Sequence, residues 1–229
     1  MHPLDNPIWE SLTTRRSEFA EGDGLARRFE PEVTLLAGLR QPSEQAYASL
    51  ATLAADGKPA AVLLPAPKDP PPGWQVVAAM STLQMTLDAS QTISPAAAFD
   101  ELQPSDAAEM FALAKLTQPG PFGIRTHELG NYIGIRRDGA IAAMAGERLR
   151  VMGYSEISAV CTLPQYGGRG FATSLMGVVA GRIRSRGETP FLHVRADNRR
   201  AIRLYKHLGF RTRAQFHSLV LRRAPLDPQ

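Results

Sequence analysis

Three glycines fall within four positions of the stretch "PQYGGRGFATSLM" (164–176), just before residues that read as a helix. Glycine loses more conformational freedom on ordering than any other residue, so the cluster implies a tight turn or a closely approaching ligand. A strand, a glycine-rich turn and a helix together make an anion site. The first helical N–H groups have no intrahelical partner, and the helix dipole puts partial positive charge beside them. A diphosphate would use such a site; a plain turn into a helix is the alternative reading. No Gly-Lys-Ser/Thr follows, which excludes a triphosphate-binding P-loop. Residues 167–172 read Gly-Gly-Arg-Gly-Phe-Ala, so the last small residue falls at the wrong place for a GxGxxG dinucleotide fingerprint.

Other reactive side chains are sparse. Cys161 is the only cysteine, which excludes an internal disulfide and fits a reducing, cytoplasmic setting. One cysteine and five scattered histidines give no metal-ligand spacing, so no metal is expected. Cys161 reads either as a covalent nucleophile or as a small buried strand residue. His193 and His217 fall on predicted strands and read as structural.

The clearest punctuation along the chain is "APKDPPPGW" (66–74), because proline runs break helices and sheets. Before it, "RRFEPEVTLLAGL" reads as strand, "SEQAYASLATLAADG" as a capped helix closing on glycine, and "PAAVLLP" as a short buried strand. "WQVVAAMSTLQMTL" reads as one or two strands. From about Ile93 the signals sharpen. "PSDAAEMFALAKLT" (104–117) predicts a helix with Ser105 as N-cap and Met110, Leu113 and Leu116 on one face. "QPGPFGIRTHELG" (118–130) is broken by prolines and glycines and reads as a loop with at most a short helix. Asp138-Gly139 between apolar runs predicts a hairpin. "YSEISAVCTLP" is a further strand, on which Glu156, Ser158, Val160 and Thr162 share one face by the period of two. Phe171, Leu175, Val178, Val179 and Ile183 line one face of the helix after the glycines. A strand from Thr189, a helix from Asn198 and a last strand from Phe210 complete the chain. The order predicts an α/β (α+β) fold: a mixed, mostly antiparallel central sheet with helices on both faces, preceded by a small α/β N-terminal region.

The 229 residues carry a formal net charge of +4, distributed unevenly: residues 1–125 sum to −6 and residues 126–229 to +10. The basic part suits an anionic ligand or an acidic neighbour. A nucleic-acid platform is disfavoured, because the basic residues are not interleaved with aromatics. With 22 arginines and 4 lysines, part of the pattern reads as compositional bias. No run approaches the roughly 18 apolar residues of a membrane span, and the N-terminus lacks the pattern of a signal peptide.

Gln165, Gly168 and Gly170 occupy the three defining positions of Q/R-x-x-G-x-G/A, the acyl-CoA motif of the GNAT N-acetyltransferase superfamily. "NRRAIRLYKHLGF" (198–210) resembles that family's N-x-x-A-x-x-L-Y-x-x-x-G-F signature at the matching distance downstream. The resemblance covers roughly residues 97–223. It implies a GNAT domain over 93–229 and one acetyl-CoA site as co-substrate. Cys161, Thr162 and Leu163 would pair with the pantetheine arm. The pyrophosphate would sit over the loop of Gln165, Gly167, Gly168, Arg169, Gly170 and Phe171, Ala172 and Thr173. Asn198 would reach the pantetheine side. Tyr205 would be the general acid, since a phenol stays protonated at neutral pH; packing on the sheet is its plainer role. Glu156 would be the base, with Glu147 and a water relay as rivals. Loop 118–130 would shape the site of an amine acceptor. The expected activity is acetyl transfer from acetyl-CoA to a primary amine; the alternative is a non-catalytic acyl-CoA-binding module. Residues 1–92 match no part of the signature and read as a decayed second acetyltransferase-like half, an acceptor-side cover or a homodimer surface.

Overall fold

The computed structural model describes residues 2–94 and 97–224. The chain begins with helix α1 (Pro7–Thr13) and three short strands, β1 (Ala20–Gly22), β2 (Ala26–Phe29) and β3 (Ala37–Leu39), which form a small antiparallel sheet in the order β1-β2-β3. The sequence from Arg27 to Leu39, expected as strand, is two strands. The Glu30–Thr34 turn separates them, closed by bonds from Val33 and Thr34 N–H to Glu30 O. Helix α2 (Glu44–Leu53) is capped by Ser43, whose hydroxyl accepts from Ala46 N–H, and the chain leaves it through left-handed Gly57.

The remaining strands are β4 (Ala60–Leu64), β5 (Trp74–Leu87), β6 (Asp100–Glu101), β7 (Ile133–Arg137), β8 (Ala140–Val151), β9 (Tyr154–Thr162), β10 (Thr189–Arg195) and β11 (Phe210–Arg223). They build one eight-stranded sheet in the order β4-β11-β5-β10-β9-β8-β7-β6. Every neighbouring pair is antiparallel except β9 and β10, which α4 (Phe171–Ser185) connects as a crossover. Strand β5 is a single 14-residue strand from the N-terminal region, yet it lies between β10 and β11. The split at residue 92 thus divides the sequence signature and not the sheet.

Two helices complete the layers: α3 (Ala107–Thr117) and α5 (Arg199–His207). One sheet face packs Ile157, Leu192 and Val194 against Leu175, Val179 and Ile183 of α4. On the other face Phe191 meets Leu4, Ile8 and Leu12 of the N-terminal segment, while Met144 and Cys161 meet Met110 and Leu113 of α3. At the start of α3, Gln103 and Asp106 cap a short 3-10 turn reciprocally, and Ser105 lies inside that turn instead of capping. Leu116, expected on the buried face, is 66% exposed; Ala114 takes the core position. The Asp138-Gly139 turn has positive φ at both residues, 52° and 80°, as a two-residue hairpin requires. No helix among the described residues is long and apolar enough to cross a membrane.

Candidate active site

Strands β9 and β10 pair only at Thr189 with Tyr154, Pro190 with Ser155 and Phe191 with Glu156. Beyond that point each turns to its other neighbour. Cys161 and Thr162 pair with Met144 and Ala143 of β8, while Leu192 to Arg195 pair with Met85 to Thr82 of β5. A wedge therefore opens between two parallel strands in mid-sheet. A bulge on β9 accompanies it: Ala159 has φ 53°, and the register with β8 slips between Ser158 and Cys161. The expected alternation of Glu156, Ser158, Val160 and Thr162 consequently breaks. Val160 packs on the α4 side, and Ala159 and Cys161 on the α3 side. Burial pushes the Cys161 thiol up to about 11, which suits an inert strand residue.

The glycine loop lies at the open end of the wedge. Gly168 and Gly170 have φ of 79° and 76°, and a Cβ at either would meet nothing within 4 Å. The demand for glycine here is conformational, with open space above the backbone. Gly170 is the N-cap of α4 and has no side chain to offer, so the amides of the first turn, Phe171 to Thr173, have no side-chain cap among the described residues. Gly167 has an ordinary φ of −58°. Gln165, Gly167 and Arg169 are exposed, and Phe171 is buried in the core. The β7–β8 turn holds the loop: Tyr166 O–H donates to Asp138, and the Arg137 guanidinium lies 4.9 Å from the Phe171 ring centre. Arg169 covers Tyr166 at 5.3 Å. Nothing local in the sequence pairs a hairpin turn with a loop 28 residues later, so Asp138 was silent there.

Helix α5 carries Asn198 at its N-cap and Tyr205 two turns later, in electrostatic range of Cys161. Tyr205 is half-buried against the α4-side core, its ring centre 6.1 Å from that of Phe210. Burial first, and then the neighbouring Cys161, push its phenol up to about 12. Asn198 caps α5, its Oδ1 accepting from Ala201 N–H at 3.1 Å.

Glu156 stands at the last paired position before the wedge and is fully buried. Its Oε1 and Oε2 accept from Arg148 Nη2 and Nε at 2.8 and 2.9 Å, Oε2 also from Leu149 N–H at 3.2 Å, and Oε1 lies 2.7 Å from His193 Nδ1. Burial alone would raise the carboxyl. The Arg148 charge and the bonds from His193 and Arg148 prevail and hold it well below the usual range. The chain of contacts continues: Gln84 Nε2 lies 3.2 Å from His193 Nε2 and donates to Leu4 O, and Gln84 Oε1 accepts from Arg213 at 2.9 Å. With Gln84 so oriented, His193 carries its proton on Nδ1, facing Glu156. This carboxylate holds charge and is poorly suited to exchanging a proton. Its rival Glu147 is also buried and ion-paired, with Arg186.

Loop 118–130 contains one 3-10 turn, Thr126–Leu129, and is fastened to the N-terminal region. Arg125 N–H donates to Glu32 O at 3.0 Å, Arg125 pairs with Glu30, and Thr126 O–H donates to Val33 O. A Cβ on Gly123 would fall 2.2 Å from Glu32 O.

The structure superposes on that of a GNAT-family protein from Novosphingobium aromaticivorans with a TM-score of 0.90. The two are 39% identical over 98% of this chain and 100% of the other. The chain belongs to the GNAT family. A family model described as FR47-like protein matches residues 132–219, the part that holds the wedge, the loop and α5. More distant GNAT chains share the fold. A GCN5-related N-acetyltransferase from Kribbella flavida has a TM-score of 0.62 at 14% identity, covering 97% of this chain and 94% of its own. A tandem GNAT protein from the clavulanic acid biosynthesis pathway has 0.54 at 16%, covering 88% and 79%. None of the curated proteins matches. The agreement with the Novosphingobium GNAT protein spans the N-terminal region, so β4 and β5 belong to the shared architecture.

Proposed function

We propose that this GNAT protein transfers an acetyl group from acetyl-CoA to a primary amine. The observation that carries the reading is the wedge beyond the Phe191–Glu156 pair, opening toward uncapped amides of α4. An extended thiol arm would add to the free edge of β9 around Cys161 to Leu163, and its diphosphate would meet the amides from Gly168 to Thr173. Gln165, Gly167, Arg169 and the first turn of α4 frame that diphosphate. Asn198 contributes its remaining amide group on the arm's side.

In the transfer, the neutral amine nitrogen bonds to the acyl carbon, the carbon–sulfur bond breaks, and Tyr205 gives its proton to the departing thiolate. A phenol at about 12 is protonated throughout the neutral range and meets that need. Because Glu156 is saturated by donors, we assign removal of the amine proton to water and give Glu156 the task of fixing the strands at the wedge. The same saturation favours one rival, a module that binds acyl-CoA without turnover.

The test is thiol release from acetyl-CoA across a panel of amines, repeated with Tyr205→Phe. Turnover on at least one amine is expected, falling about 10²-fold or more in the variant while acetyl-CoA binding persists. Unchanged turnover in Tyr205→Phe would remove the general-acid role, and binding with no turnover on any amine would establish the rival.

A further inference from the structure

Tyr132 is almost wholly buried, yet its hydroxyl has no hydrogen-bond partner among the described residues. A dehydrated phenol without a partner is costly, and native structures rarely keep one without a use. The ring reaches its place by crossing β8 at Gly146, where a Cβ would come within 2.4 Å of ring carbons. Gly146 pairs with Ser158, the residue before the Ala159 bulge. Phe122 of loop 118–130 stands edge-on to the ring at 5.7 Å, and the ring packs with Met144, Ala159 and Cys161. The hydroxyl is within electrostatic range of Arg148 on β8 and of Glu156 and Cys161, which bracket the start and the open part of the wedge on β9. Burial raises its pKa, so the group is a donor at neutral pH. Arg148 and Glu156 satisfy each other, so among the described residues the buried donors left without a partner beside β9 are this phenol and the Thr162 hydroxyl, and of the two only the phenol lies in range of Glu156, at the start of the wedge.

We propose that the Tyr132 hydroxyl is the hydrogen-bond donor to the carbonyl oxygen of a thioester bound in the wedge. The inference rests on the acetyl-CoA reading above and adds to it a group that recognises the acyl moiety itself. Entry of the acyl group at the bulge gives the stranded hydroxyl its missing acceptor. As negative charge develops on that oxygen during attack, the same bond strengthens. The segment Gly120 to Phe122 lies over both Tyr132 and Arg148, whose Nη1 donates to Pro121 O.

Calorimetric titration of acetyl-CoA and of CoA into the unmodified protein and Tyr132→Phe tests the assignment. CoA lacks the carbonyl and serves as the internal control. Tyr132→Phe is expected to weaken acetyl-CoA about three- to tenfold, the worth of one neutral hydrogen bond, and to leave CoA unchanged. Its thermal midpoint is expected to stay equal or rise, since the variant removes an unpaired polar atom. If both ligands weaken together, or neither does, the assignment is overturned. If the unmodified protein binds neither, the donor reading falls and this assignment with it.

Discussion

Glu156 receives donors from three residues in a site closed to water, and Arg148 depends on it for charge balance. Glu156→Gln leaves the buried guanidinium uncompensated, and an equilibrium urea titration at pH 7 should show a loss of about 3–5 kcal/mol. The pH dependence has a definite sign. The folded-state pKa lies below the ordinary 4.5, so this carboxylate stabilises the fold fully above about pH 4.5 and loses its contribution as pH falls toward the depressed value. The gap between the unmodified protein and Glu156→Gln should therefore narrow by roughly 1.4 kcal/mol per pH unit below 4.5. Equal gaps at pH 7 and pH 3.5 would show that the pair is not what sets the carboxyl.

At the scale of elements, the glycine loop and its helix were legible because their requirements are local. Gly168 and Gly170 announce left-handed backbone, and Asp138-Gly139 announces the hairpin. Gly168→Ala should cost about 1–2 kcal/mol from backbone strain alone, because open space surrounds the position. A larger loss in chemical denaturation would mean that packing constrains the loop. Gly146→Ala acts differently: its φ is ordinary, but the added methyl collides with Tyr132, and overpacking of about 1–3 kcal/mol is expected in the same measurement. The bulge was not legible, since alanine at φ 53° carries no sequence sign, and that single residue moved Val160 and Cys161 to unexpected sides. Likewise, no spacing rule announces that Arg148 will close on Glu156 across a hairpin, or that Gln84 will orient His193.

Over the whole molecule, the family signature lay in residues 97–223, but the sheet does not respect that limit. β5 shares long ladders with β10 and β11, and β4 flanks β11. Partners more than a hundred residues apart leave no periodic trace, which is why this part of the fold was not read from the chain. An isolated 93–229 fragment would leave β11 with neither neighbour, β10 with one unpaired edge, and the faces of Phe191, Leu219 and Leu221 uncovered. It should fail to give a cooperative thermal transition, and adding residues 1–92 in trans should restore one. A fragment that melts cooperatively by itself would establish 93–229 as an autonomous unit.

The position of β5 also sets a timetable for biosynthesis. As the chain leaves the ribosome, β5 finds neither of its neighbours, because β10 and β11 are made only later. For more than a hundred residues of elongation, an apolar strand waits without a ladder. The central sheet closes only after β10 and β11 have been made, so its folding is slow, as that of non-local topologies is.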